Sequence, residues 1–147
     1  MKLSFAEYQK LIRLGPRTGA RAVVDGRDVK VLATVLREDD ATQGGLLVLY
    51  RFCDTDEERL TTLKKWPNTR PAKVDHDHNI KRRPEAGTAW RHYKGGLYGV
   101  MTTACSDFGG HPFVIYQCEE TAMRWARLLD SWLSFSPEGQ PRFVRVR

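Results

Sequence analysis

The chain has 147 residues, 41% of them hydrophobic, which suits one ordinary domain or two very small ones and argues against wholesale disorder. No apolar run approaches the roughly 20 residues needed to cross a bilayer, and Met1–Glu7 carries an early acid and no apolar signal-peptide core, so a cytoplasmic protein with no membrane partner is expected. The net charge of +6 is shared evenly among residues 1–66, 67–86 and 87–147, so no sequence block marks a nucleic-acid footprint, although folding can still gather Arg and Lys on one face.

Ser4-x-x-Glu7 has capping-box spacing, and Phe5, Tyr8, Leu11 and Ile12 recur at helical intervals. The pattern predicts an amphipathic helix over residues 4–14, stopped by Gly15-Pro16, with its apolar face on the body of the protein. From Ala20 the pattern becomes short apolar runs between turn residues. Val29–Leu36 and Leu46–Phe52 read as strands, separated by a polar loop over residues 37–45. Residues 67–86 hold three prolines, Asp75-His76-Asp77-His78 and Lys81-Arg82-Arg83, and read as an exposed connector. Tyr98–Cys105 and Phe113–Cys118 are again strand-like. Arg142–Arg147 alternates, which predicts a final edge strand carrying Phe143, Arg145 and Arg147 on one face.

The two halves share an internal pattern. Asp25-Gly26 answers Gly95-Gly96 at an offset of 70, and Val31 answers Val100 at an offset of 69. After the hairpin loop the offset is 66: Leu47–Tyr50 answers Phe113–Tyr116, Leu63 answers Leu129, and Trp66 answers Trp132. The retained Tyr-to-Trp spacing favours a degenerate tandem duplication over a coincidence of strand and turn grammar. Arg59 then stands where Trp125 would be, and Thr61 where Arg127 would be.

The stretch from Trp90 to Tyr98 packs an imidazole, an ammonium, a guanidinium and three aromatic rings ahead of and around a Gly-Gly turn. With Trp125-Ala126-Arg127 and Pro141-Arg142-Phe143 it defines the candidate ligand-binding residues Trp90, His92, Tyr93, Lys94, Trp125, Arg127 and Arg142. Rings stack on bases, ligand rings or peptide prolines, and Arg and Lys meet phosphate or carboxylate. The same residue types also fill small β cores. Strand alternation separates Trp90 and His92 from Arg91 and Tyr93, so at least two of the aromatics are expected in the core, with Lys94 and Arg127 exposed. Asp75–His78 offers two imidazoles on one face, but no further ligand at defined spacing; a solvated linker is the stronger reading, and no metal or cofactor is expected. Cys53, Cys105 and Cys118 are odd in number and lack Cys-x-x-Cys spacing, which fits reduced thiols. The sequence has no Gly-rich phosphate loop, nucleophile elbow or His-Glu-x-x-His pattern.

Over residues 87–147 the chain resembles a family of short bacterial and phage proteins known only as a domain of unknown function. Arg91-His92-Tyr93-Lys94-Gly95, Tyr98-Gly99-Val100, Val114-Ile115-Tyr116, Trp125-Ala126-Arg127-Leu128-Leu129 and Pro141-Arg142-Phe143 carry the resemblance. It departs from the family pattern at Cys105-Ser106-Asp107, where an Arg-His-Ser type of segment is usual, and at Leu128, where a Pro is usual. The resemblance implies a small SH3-like β-barrel and no particular activity. The expected fold is therefore mainly β: a short N-terminal helix and a degenerate SH3-like barrel over residues 1–66, a linker over 67–86, and a second SH3-like barrel over 87–147. The expected function is non-catalytic recognition of nucleic acid or a nucleotide-like anion by the aromatic and basic surface of the second barrel. The alternative is a phage or mobile-element adaptor that binds and inhibits a host protein, and the third reading is an enzyme acting on a nucleotide-like substrate.

Overall fold

The computed structural model describes residues 3–72 and 81–147; the Asp75–His78 segment lies outside them. Helix α1 (Phe5–Ile12) starts at the expected place, because Ser4 Oγ accepts from the Glu7 N–H at 3.1 Å and the Glu7 carboxylate accepts from the Ser4 N–H at 3.3 Å. Tyr8 is its buried anchor; Phe5, expected on the packed face, is 47% exposed. Among the described residues no helix is long and apolar enough to cross a membrane.

The remainder is mainly β. The first half supplies β1 (Arg21–Val24), β2 (Arg27–Arg37), β3 (Leu46–Phe52) and β4 (Glu58–Thr62). The second supplies β5 (Ala89–His92), β6 (Leu97–Ser106), β7 (Pro112–Cys118), β8 (Arg124–Leu128), the single turn α2 (Leu129–Trp132) and β9 (Phe143–Arg145). Asp25 and Gly26, at φ 52° and 76°, close the β1–β2 hairpin with two left-handed residues, as a two-residue turn matched to strand twist requires.

The halves do not form two separate barrels. They share one sheet in the order β4–β3–β2–β8–β7–β6–β5–β9, and β4 also pairs with β6, so the ladder from β4 to β6 returns to its start. The two seams between halves are parallel: β2 meets β8 through Leu36–Trp125 and Arg37–Ala126, and β4 meets β6 through Arg59–Cys105 and Leu60–Ser106. The physical reason is edge satisfaction. Each half has only one four-stranded meander, which leaves unpaired N–H and C=O groups along its edges and too little surface to enclose a core. Pairing the meanders removes both problems. Ala33, Val35, Leu47, Leu49 and Leu60 from the first half meet Ala104, Phe113, Ile115 and Ala126 from the second in one buried cluster.

The internal pattern appears in the register. Val31 pairs with Tyr50, and Val100 with Tyr116; a register shift follows immediately in both, at Val31/Ala33 and Val100/Thr102. Tyr50 then faces Arg59, as Tyr116 faces Trp125. Each seam pair in one half has its counterpart in the other at the same sequence offsets. The Tyr50–Trp66 and Tyr116–Trp132 rings both lie 5.2 Å apart. Outside the shared core, Val100, Val114, Tyr116, Leu129, Trp132 and Phe143 form a second buried cluster under α2 and β9.

Candidate functional site

Strand β5 and its turn bring His92, Tyr93 and Lys94 to the rim of that second cluster. The turn needs its glycines: Gly95 has φ 109°, and a Cβ on Gly96 would come within 2.8 Å of the Tyr98 ring. Lys94 N–H donates to His92 Nδ1 at 3.2 Å, so a neutral His92 carries its proton on Nε2. Burial lowers the His92 pKa from its ordinary value; Arg127, Arg142 and Lys94 push the same way and Glu38 opposes them. His92 therefore favours the neutral form, poised to be recharged by an added anion.

Tyr93 lies beyond the end of β5, so strand alternation does not govern it. Its ring centroid is 4.5 Å from that of His92, and it receives Lys94 Nζ at 5.7 Å and the Arg142 guanidinium at 5.8 Å. Arg142 is positioned by β9 and by Nε donating to Ser134 Oγ at 2.9 Å. Lys94 is exposed, as expected. Arg127 is not: it is half-buried, ion-paired with Glu38, donates to Ser131 Oγ at 2.9 Å, and lies 5.3 Å from the Phe143 ring centroid. Burial opposes its charge, but Glu38 and Tyr116 outweigh burial and hold its pKa above the ordinary value.

Trp90 and Trp125 flank this cluster. Trp90 packs edge-on against Trp132 at 5.7 Å and donates from Nε1 to Thr88 Oγ1 at 2.8 Å. Trp125 contacts Tyr8 of α1 at 6.0 Å and walls a cleft of about 370 Å³ with Glu38, Tyr98, Tyr116 and Met123. Trp90, Tyr93 and Trp125 are all half-buried. The expectation that two candidate aromatics enter the core is corrected: Tyr116, Trp132 and Phe143 fill it instead, with Trp132 and Phe143 stacked at 3.7 Å.

Glu38, Tyr98, Tyr116 and Phe143 were not among the sequence candidates. The Tyr116 hydroxyl donates to Glu38, across the seam between halves, and burial pushes the Tyr116 pKa well up. A counterpart arrangement joins Tyr50 to Asp107, again across a seam, with Arg59 Nε donating to Asp107 at 3.2 Å. This second network is sealed. Thr69 Oγ1 donates to Asp107 at 2.8 Å, and Arg59 also donates to the carbonyls of Ala72 and Ser106 at 2.6 and 3.1 Å. The Arg59 and Asp107 side chains are 3% and 2% exposed, whereas Arg127 and Glu38 are 12% and 38% exposed. One tyrosine–carboxylate–arginine set is closed by the chain; the other opens beside His92 and the cations of the β5 turn.

The fold and this cluster describe a mainly β protein with an aromatic and basic face in its second half. Residues 88–145 match the model of a family described as a protein of unknown function (DUF1653). No curated protein and no solved structure matches the chain.

Proposed function

We propose that the protein is a non-catalytic recognition module that binds nucleic acid or a nucleotide-like anion at the face formed by His92, Tyr93, Lys94 and Arg142, with Arg127 behind them. One observation carries the reading: the Arg127–Glu38–Tyr116 set is part-exposed beside two further cations, Lys94 and Arg142, and an imidazole, whereas its counterpart around Asp107 is sealed. Phosphate suits the two free-standing cations, and the Tyr93 ring offers a stacking surface already flanked by positive charge. Trp90 and Trp125 support the face from either side. The matched registers of β2–β4 and β6–β8 support reading the chain as a tandem duplication in which one copy kept an open site and the other became scaffold.

The test is titration of purified protein with a fluorescent single-stranded oligonucleotide and with a nucleoside triphosphate at several salt concentrations. The Lys94→Ala/Arg142→Ala variant is expected to bind at least about tenfold more weakly, with a flatter salt dependence. Equal affinity for wild type and variant removes this face from consideration.

A second reading, a host-protein adaptor of phage or mobile-element origin, draws on β9. It lies at the end of the sheet order, and Val144 and Val146 are exposed along it. An edge strand with one open side and exposed valines suits strand addition by a partner protein. A stoichiometric complex recovered from host lysate, lost when the outward N–H of β9 is removed by Arg145→Pro, favours this reading.

A further inference from the structure

A cleft lined by described residues lies away from that face. It has a volume of about 760 Å³ and lies between α1, the turn that follows it, β2 and the β7–β8 turn. That size lies within the range of about 300–1,000 Å³ usual for small-molecule sites. Its lining includes Arg13, Arg17 and Arg124 and, among the described residues, no Asp or Glu.

The three guanidiniums come from separate elements, so no single helix or loop explains their convergence. Arg13 caps the C-terminal end of α1, where a cation suits the helix dipole; that accounts for one of the three. Arg17 follows Pro16, whose carbonyl accepts from Thr34 Oγ1 at 3.2 Å, which ties the turn to β2. Arg124 is held at the start of β8: its Nε donates to Gln117 Oε1 at 3.2 Å, and its backbone N–H donates to the Tyr8 hydroxyl at 2.8 Å. Neither Arg13 nor Arg17 forms an ion pair with a described carboxylate, and both are exposed.

Three like charges around one concavity repel one another, and cleft walls of low dielectric focus their field. An ordinary solvated surface mixes signs, and six of the sixteen arginines show it: Arg27, Arg37, Arg51, Arg59, Arg127 and Arg147 each face a carboxylate. The cleft departs from it. Guanidinium forks match phosphate oxygens in geometry as well as charge. At the rim, Phe5 is 47% exposed and lies over Tyr8 with ring centroids 6.3 Å apart. A ring left in water on the first turn of a helix, beside unpaired cations, offers a stacking surface for a base.

We propose that this cleft binds the phosphate groups of a nucleotide or of single-stranded nucleic acid through Arg13, Arg17 and Arg124, with Phe5 stacking on a base at the rim. The assignment does not depend on the face around Tyr93, from which it differs in every named residue.

The experiment uses the full chain and three variants, Arg13→Ser/Arg17→Ser and Phe5→Ala for the cleft and Lys94→Ala for the other face. Each is titrated with ADP and with a fluorescent ten-nucleotide deoxythymidine strand, and thermal melts check folding; the substituted residues are exposed. The cleft variant is expected to lose about tenfold or more in affinity and to show a smaller salt slope than wild type. Phe5→Ala is expected to weaken binding with the salt slope unchanged. Loss of ADP binding assigns a free nucleotide; loss of strand binding without measurable ADP binding assigns nucleic acid. Weakening by Lys94→Ala alone overturns the cleft assignment and supports the other face, and weakening by Arg13→Ser/Arg17→Ser alone does the reverse. Binding of neither probe by wild type overturns both.

Discussion

The Tyr116 hydroxyl donates across the seam between halves to Glu38, and at the sequence offsets that relate the halves, Tyr50 donates to Asp107. Each half thus supplies a carboxylate at the end of its long strand that is read by the tyrosine of the other. The seams are held by polar contacts as well as by backbone pairing, and the two contacts differ chiefly in exposure.

That difference predicts unequal costs. Asp107→Ala leaves the buried Arg59 with only the exposed carboxylate of Glu57, 3.4 Å away, and frees the hydroxyls of Tyr50 and Thr69. Losing one member of a buried pair costs about 3–5 kcal/mol. Glu38→Ala leaves Arg127 nearer to solvent, and about 1–2 kcal/mol is expected for a part-exposed charge-assisted contact. Urea denaturation of both variants checks the order; equal losses contradict the asymmetry.

The matched tryptophans make a similar contrast. Trp132 is buried against Tyr116, Phe143 and Trp90, whereas Trp66 is half-buried against Tyr50. Trp132→Ala is expected to lose about 3–5 kcal/mol, as large aromatic truncations in a core do. Trp66→Ala is expected to lose less, because part of its surface already meets water. Thermal melts with matched unfolding enthalpies give the comparison.

Much of the fold was legible in local pattern. The capping box over Ser4 and Glu7 set the start of α1, and alternation bounded by polar loops placed β2, β3, β6 and β7 within a residue or two. The Tyr and Trp spacings marked residues that occupy equivalent registers. The joining of the halves was not legible, because strand patterns report which face is buried and are silent on which edge meets which. The candidate site was legible where it is contiguous: His92, Tyr93 and Lys94 share a turn, and Arg142 reaches it through β9. Glu38 was hidden in a polar loop. Its one signal is that Glu38 and Asp107 are also related by the offset of 69, each an acid at the end of the longest strand in its half. Arg59 and Thr61 read as losses against Trp125 and Arg127, yet Arg59 carries the ion pair to Asp107 and Thr61 donates to Thr69 at 2.8 Å.

The electrostatics of His92 predict a pH effect. Its pKa in the folded chain lies below the ordinary 6.5, through burial first and the Arg127 charge next. The unfolded chain therefore takes up the proton more readily than the folded one. The stability contribution is complete above about pH 6.5 and is lost as pH falls through the depressed folded value. His92→Gln removes this slope. Denaturation midpoints for wild type and variant, compared between about pH 5 and pH 8, are expected to diverge on the acid side; parallel curves contradict the assignment. A bound phosphate anion raises the His92 pKa, so ligand binding at that face is expected to take up protons near neutral pH.

The last prediction concerns the family-matched segment taken alone. In the intact chain β6 spends one end pairing with β4, and β8 pairs with β2. Ala104, Phe113, Ile115 and Ala126 are covered by residues of the first half. A fragment of residues 87–147 therefore carries two open strand edges and an uncovered apolar face. As a monomer it has no way to satisfy either. The two-fold relation between the halves offers a solution: two fragments pair β6 of one with β8 of the other and rebuild a single shared core. The expected outcome is a dimer whose thermal midpoint rises with concentration, or an unfolded chain, and in neither case a cooperative monomer. Light scattering after size exclusion, with melts at several concentrations, gives the answer. Adding residues 1–66 in trans is expected to displace the dimer in favour of a one-to-one complex, since it restores the native seams. A monomeric fragment with a concentration-independent melt would falsify the shared core and return the second half to the status of an independent barrel.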